Sequence, residues 1–140
     1  MNFRDLEKRT LANWFSEDKN SSLTEWYLSV RDINLSQLGV GDICRALRQN
    51  LFVSEVLPFA VALLNYDVLT GERYDGELIV ALSGLSSKYW QENANAASQA
   101  ANALAEVKQL SKDADLLRDA STLANVLEEI NKQVKGDVLL

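Results

Sequence analysis

The sequence predicts an all-α fold, a single-domain helical bundle of about six to eight helices closed by a C-terminal helical hairpin. Three observations carry this. Apolar residues recur at three- and four-residue steps along most of the chain. Strand patterns, with alternating β-branched runs bounded by turn residues, are scarce. The stretch 51–64 is apolar on every side, with Glu55 as its one charge, which marks a central buried helix. With 140 residues, one domain over 1–140 can bury roughly two thirds of its unfolded surface and needs neither a metal nor a disulfide to hold it.

Taken in order, Phe3, Leu6, Leu11, Trp14 and Phe15 lie at helical spacing among charges and predict an amphipathic helix over residues 4–15. The polar run 16–22 ends it. Ser22 and Glu25 match a capping box, so a second helix starts there and carries Leu23, Trp26, Tyr27 and Val30. Ile33, Asn34 and Leu35 read as a short extended connector. Asp42 is the expected N-cap of a third helix, with Ile43, Leu47 and Leu51 on one side and Arg45, Arg48 and Gln49 largely on the other. Pro58 falls inside the apolar run, and because its ring displaces a backbone hydrogen bond it must either occupy a first helical turn or kink the helix, a break or kink near residues 54–57 being expected.

Residues 66–76 read as a turn, after which Asp75 is placed to cap an apolar helix through Leu82 that Ser83 and Gly84 close. Ser86 or Ser87 opens a further helix with Tyr89 and Trp90. The alanine-rich stretch that follows has high helix propensity but little apolar bulk. Leu104, Val107 and Leu110 prolong its stripe, giving a helix over 94–111. From Lys112 onward, Leu116, Leu117, Ala120, Leu123, Ala124, Leu127 and Ile130 follow helical steps to Val134. Pairing these two segments gives a hairpin over 94–134. A continuous long helix or a coiled-coil dimer shares the same spacing. Gly136 is expected to end the helical pattern, leaving Val138, Leu139 and Leu140 as an apolar tail.

Composition removes most chemistry. The chain has no histidine and one cysteine, Cys44, so no Ser/His or Cys/His nucleophile pair can form, and zinc would lack its usual donors. No glycine-rich nucleotide motif, phosphate loop, paired-cysteine motif or calcium loop is present, so no cofactor, metal site or catalytic residue is expected. A lone cysteine suits a reducing, cytoplasmic compartment. Arg4, Asp5, Glu7, Lys8 and Arg9 interrupt the start of the chain too often for a signal peptide, and no apolar run is long enough for a membrane span. Twenty acidic against fourteen basic residues give a net charge of −6, which argues against nucleic-acid or anionic-lipid partners and favours a basic protein partner.

The candidate site residues cluster around the 66–76 turn. Asp67, Glu72, Asp75 and Glu77 can form an acidic rim facing a partner, while the alternative gives Asp75 and Glu77 to helix capping and dipole compensation. Arg48 and Gln49 either touch a partner or tie down a carboxylate such as Asp75 or Glu77, the expected role. Tyr74 is expected to anchor the turn with its ring buried and its hydroxyl bonded. Trp14, Trp26 and Trp90 sit in core patterns, and Cys44 reads as inert.

The run from Gly41 to Asn50, with Asp42, Arg48 and Gln49, then Leu57-Pro58, then Gly71-Glu72-Arg73-Tyr74-Asp75-Gly76-Glu77-Leu78, resembles a bacterial family of contact-dependent growth inhibition immunity proteins. The resemblance covers the 41–85 block. It implies a small helical cytosolic protein that binds the toxic C-terminal domain of a surface effector, often a nuclease, and blocks it; the acidic, catalytically bare composition fits a monomer or weak dimer that meets a basic nuclease without any reaction of its own. Asp42, Arg48, Gln49 and Tyr74 are the motif residues expected to hold the fold. Two other readings stay open: a self-associating helical scaffold using the 94–134 hairpin, and a carboxylate-dependent metal enzyme built on Asp67, Glu72, Asp75 and Glu77.

Overall fold

The computed structural model describes residues 1–10 and 21–139, and the elements among them are, in chain order, α1 (Phe3–Thr10), α2 (Ser22–Val30), a 3-10 turn (Leu35–Gln37), α3 (Val40–Arg48), α4 (Val53–Tyr66), α5 (Glu77–Ser83), α6 (Ser87–Glu92), α7 (Ala94–Leu104), α8 (Val107–Leu110) and α9 (Ala114–Leu139). No strand occurs among the described residues. The expected first-helix residues Leu11, Trp14 and Phe15 lie outside them.

Phe3 and Leu6 of α1 are buried, and the Phe3 ring stacks between Tyr27 at 5.7 Å and Phe52 at 6.0 Å. The cap of α2 is Ser21 rather than Ser22. Its hydroxyl accepts from the Thr24 amide at 3.0 Å. The expected extended connector is partly a 3-10 turn, because the Asn34 side chain accepts from Ser36 N and winds Leu35–Gln37. Between α3 and α4 the chain reverses through Asn50 and Phe52, both left-handed with φ of 53° and 45°. Such a backbone costs a residue with a Cβ roughly 1–3 kcal/mol. Burial of Leu51, whose amide bonds to Ala46 O at 2.9 Å, helps hold the reversal in place.

Helix α4 is the central element, with Val56, Leu57, Ala60, Val61 and Leu64 fully buried and α3, α5, α6 and α7 packed around it. The expected break at residues 54–57 does not occur, and the helix runs continuously through Pro58. Pro58 lies only one turn and a half from the helix start and faces solvent, so water can serve the carbonyl its ring leaves without an amide donor.

The C-terminal half forms the expected hairpin, with α7 packed on α9. Ala96, Ala97 and Ala100 are buried, so their small side chains let the neighbouring helices approach closely. The helix expected over 94–111 is interrupted after Leu104. There the backbone tightens to three-residue hydrogen bonds, Ala105 N to Asn102 O and Glu106 N to Ala103 O, before α8 resumes. Asp113 starts α9 by accepting from the Asp115 and Leu116 amides. Leu116, Ala120, Leu123, Leu127 and Ile130 make its buried stripe, which also covers α5. Gly136 does not end the helix, which continues to Leu139.

Candidate functional site

The turn between α4 and α5 is organised by one carboxylate. Glu77, the first residue of α5, is 1% exposed. Its Oε1 accepts from the amides of Glu72 at 2.9 Å and Arg73 at 3.2 Å, and its Oε2 accepts from Arg48 Nη1 at 3.1 Å. Burial alone would raise its pKa, but the amides of Arg73 and Glu72 and the Arg48 guanidinium outweigh it and hold the carboxyl below its ordinary value. The carboxylate thus closes the turn on itself and fastens it to the end of α3.

Two close approaches finish the assembly. At Gly76 the backbone is left-handed (φ 85°), and a Cβ there would meet the Leu116 methyls of α9 at 2.5 and 2.6 Å. Only glycine meets both demands without strain. At Gly41, in the first turn of α3, a Cβ would lie 1.6 Å from Glu72 Oε2. The turn therefore touches α3 at two places and α9 at a third.

Several expectations for these residues are corrected. Glu77 is not part of an exposed rim, because it is consumed by the turn. Asp75 does not cap α5; Gly76 occupies the cap position with no side-chain bond. Asp42 does not cap α3, which begins at Val40 behind Gly39. Instead its Oδ1 accepts from Trp26 Nε1 at 2.9 Å, and Arg45 lies over the same indole at 5.1 Å from the ring centroid. Tyr74 is half exposed rather than buried. Gln49 is exposed at the C-terminal end of α3. Arg48 does bind a carboxylate, that of Glu77.

Asp67, Glu72 and Asp75 remain exposed on the turn. Asp67 Oδ1 accepts from the Leu69 amide at 3.0 Å, which shapes the exit from α4. Cys44 is fully buried and burial, followed by the Glu77 charge, pushes its thiol up to about 12, so it stays protonated and unreactive.

A second buried carboxylate was not legible in the sequence. Glu7 of α1 accepts from Arg31 through Nε at 2.6 Å and Nη2 at 2.9 Å, and from the Tyr27 hydroxyl at 2.7 Å. This network joins α1 to α2. Its members sit among other charges at separations with no local pattern, so no periodicity announces it. Among the described residues, no group of three or more Cys, Asp or Glu side chains is placed to hold a metal ion, and no helix is long and apolar enough to cross a membrane.

The family described as CDI immunity proteins matches residues 9–100, which takes in α2 through most of α7 and the whole turn from Arg48 to Glu77, but not Leu116 of α9 packed against it. No curated protein matches the chain.

Proposed function

The chain belongs to the immunity proteins of contact-dependent growth inhibition, and from that premise we propose that it masks a nuclease toxin domain by direct protein contact in the cytoplasm. Its family implies a cognate toxin as partner and neutralisation of that toxin as the task. The masking is stoichiometric, carried out by a monomer or weak dimer with no cofactor.

The observation that carries the reading is the family match across the 9–100 segment. Charge supports its finer part. A nuclease presents a basic cleft to its substrate, and a partner of net charge −6 with Asp67, Glu72 and Asp75 exposed on one turn offers carboxylates where phosphates would otherwise lie. Such carboxylates accelerate encounter and orient docking more than they deepen affinity. Glu77 is not one of them.

Growth is the test. Cells expressing the C-terminal domain of the effector encoded beside this gene should stop dividing, and co-expression of this chain should restore growth with nucleic acid left intact. Growth arrest that persists despite folded, soluble protein would contradict the reading.

A further inference from the structure

On the side of the molecule where α4 ends, a cleft of about 240 Å³ opens between the α4 C-terminus and the α7–α8 junction. Tyr66 lines it and is 91% exposed, an unusual state for an aromatic residue closing the central helix. Leu110, 55% exposed, faces the same space from α8. Two large side chains left in water on either side of one cleft are the composition of an interface anchor, since aromatic residues dominate binding hot spots.

The charged side chains described around the cleft have one sign. The C-termini of α4 and α7 both open onto it, and each concentrates partial negative charge on its last carbonyls. Neither helix carries a basic residue in its last turn to offset this. Asp67 and Glu106 add two carboxylates, and the Glu106 side chain makes no capping bond to α8. Among the described residues, no lysine or arginine lines the cleft. Two carboxylates beside a bare tyrosine ring complement a cation that can also stack on an aromatic face.

We propose that this cleft receives a lysine or arginine side chain of the toxin domain, with Tyr66 stacked against it, Asp67 and Glu106 pairing with its charge and Leu110 closing over its stem. The proposal rests on the toxin-masking reading and adds a second contact, on α4, α7 and α8, to the exposed turn. The C-terminal part of the chain, beyond the 9–100 family match, thereby supplies Glu106 and Leu110 and so a share of toxin choice.

The test is titration calorimetry of the full chain with the purified toxin domain encoded by the adjoining gene. Tyr66→Ala should raise Kd by about thirtyfold or more, and Glu106→Lys by about tenfold or more. The melting temperature should hold in both, because neither side chain is packed. Leu28→Ala, which removes a half-exposed apolar residue on α2, should leave Kd unchanged. Kd values within about twofold of wild type for both Tyr66→Ala and Glu106→Lys would overturn the cleft proposal and leave the masking reading standing. Wild-type protein that gives no heat of binding would overturn the masking reading itself, and the cleft proposal with it.

Discussion

Arg48 Nη1 lies 3.1 Å from Glu77 Oε2, and this ion pair joins the end of α3 to the start of α5 across a turn whose own amides hold the other carboxylate oxygen. Most of what is distinctive in the sequence serves this junction. Gly41 admits Glu72, Gly76 admits Leu116, and Glu77 closes the loop between them.

The junction should dominate the response to mutation. Glu77→Ala removes the acceptor of three hydrogen bonds from a buried position and should cost about 3–5 kcal/mol. Arg48→Ala leaves Glu77 its two backbone donors, and the guanidinium is partly in solvent, so the loss should be about 1–2 kcal/mol. Urea denaturation gives both values. Arg48→Ala costing as much as Glu77→Ala would mean that the ion pair, not the turn closure, is the main contribution.

Acid should attack the same place. The Glu77 carboxyl is depressed in the folded protein, so it binds protons more weakly there than in the unfolded chain. Its contribution is therefore complete above the unfolded carboxylate range, near pH 4.3, and is lost as pH falls toward the folded value. Stability measured from pH 7 down to pH 3 should fall in wild type, and Glu77→Gln should show a shallower acid limb on a lower plateau. Parallel limbs would remove Glu77 from the acid response.

Gly76→Ala should destabilise by about 2–4 kcal/mol, through left-handed backbone strain and collision with Leu116. Adding Leu116→Ala should relieve the collision but not the strain, so the two substitutions together should cost less than their sum. Simple additivity would show that α9 does not bear on the turn.

Reversing the exposed carboxylates should separate binding from folding. The triple variant Asp67→Lys, Glu72→Lys, Asp75→Lys should slow association with the toxin domain and weaken it by about tenfold or more, with the salt dependence of the on-rate reduced, while the helical circular-dichroism spectrum is kept despite loss of the Asp67–Leu69 turn bond and the Glu72–Gly41 contact. Stopped-flow association at two ionic strengths reads this directly. Equal on-rates for variant and wild type would exclude the turn from the encounter surface.

The helices were legible because apolar spacing and local caps are properties of adjacent residues. The α4 stretch and the α7–α9 hairpin could be anticipated that way, and the Arg48–carboxylate pairing from the rule that a partly buried charge finds a partner. Cap positions slipped by one to three residues where several candidates compete, as Ser21 against Ser22 and Gly39 against Asp42. Pro58 misled because its penalty depends on which side of the helix faces water, a tertiary fact. Glu77 looked like its neighbours Glu72 and Asp75, since burial distinguishes them and spacing does not. The Glu7–Arg31–Tyr27 network and the cleft beside Tyr66 depend on residues distant in sequence, and no local signal marks either.

Direct contact with the toxin domain is the central claim, and calorimetric titration of the purified wild-type chain into that domain, with nuclease activity assayed on the same samples, tests it most directly. A saturable one-to-one complex that abolishes nuclease activity at equivalence is the expected result. Full nuclease activity in the presence of excess folded chain, with no heat of binding, would contradict it.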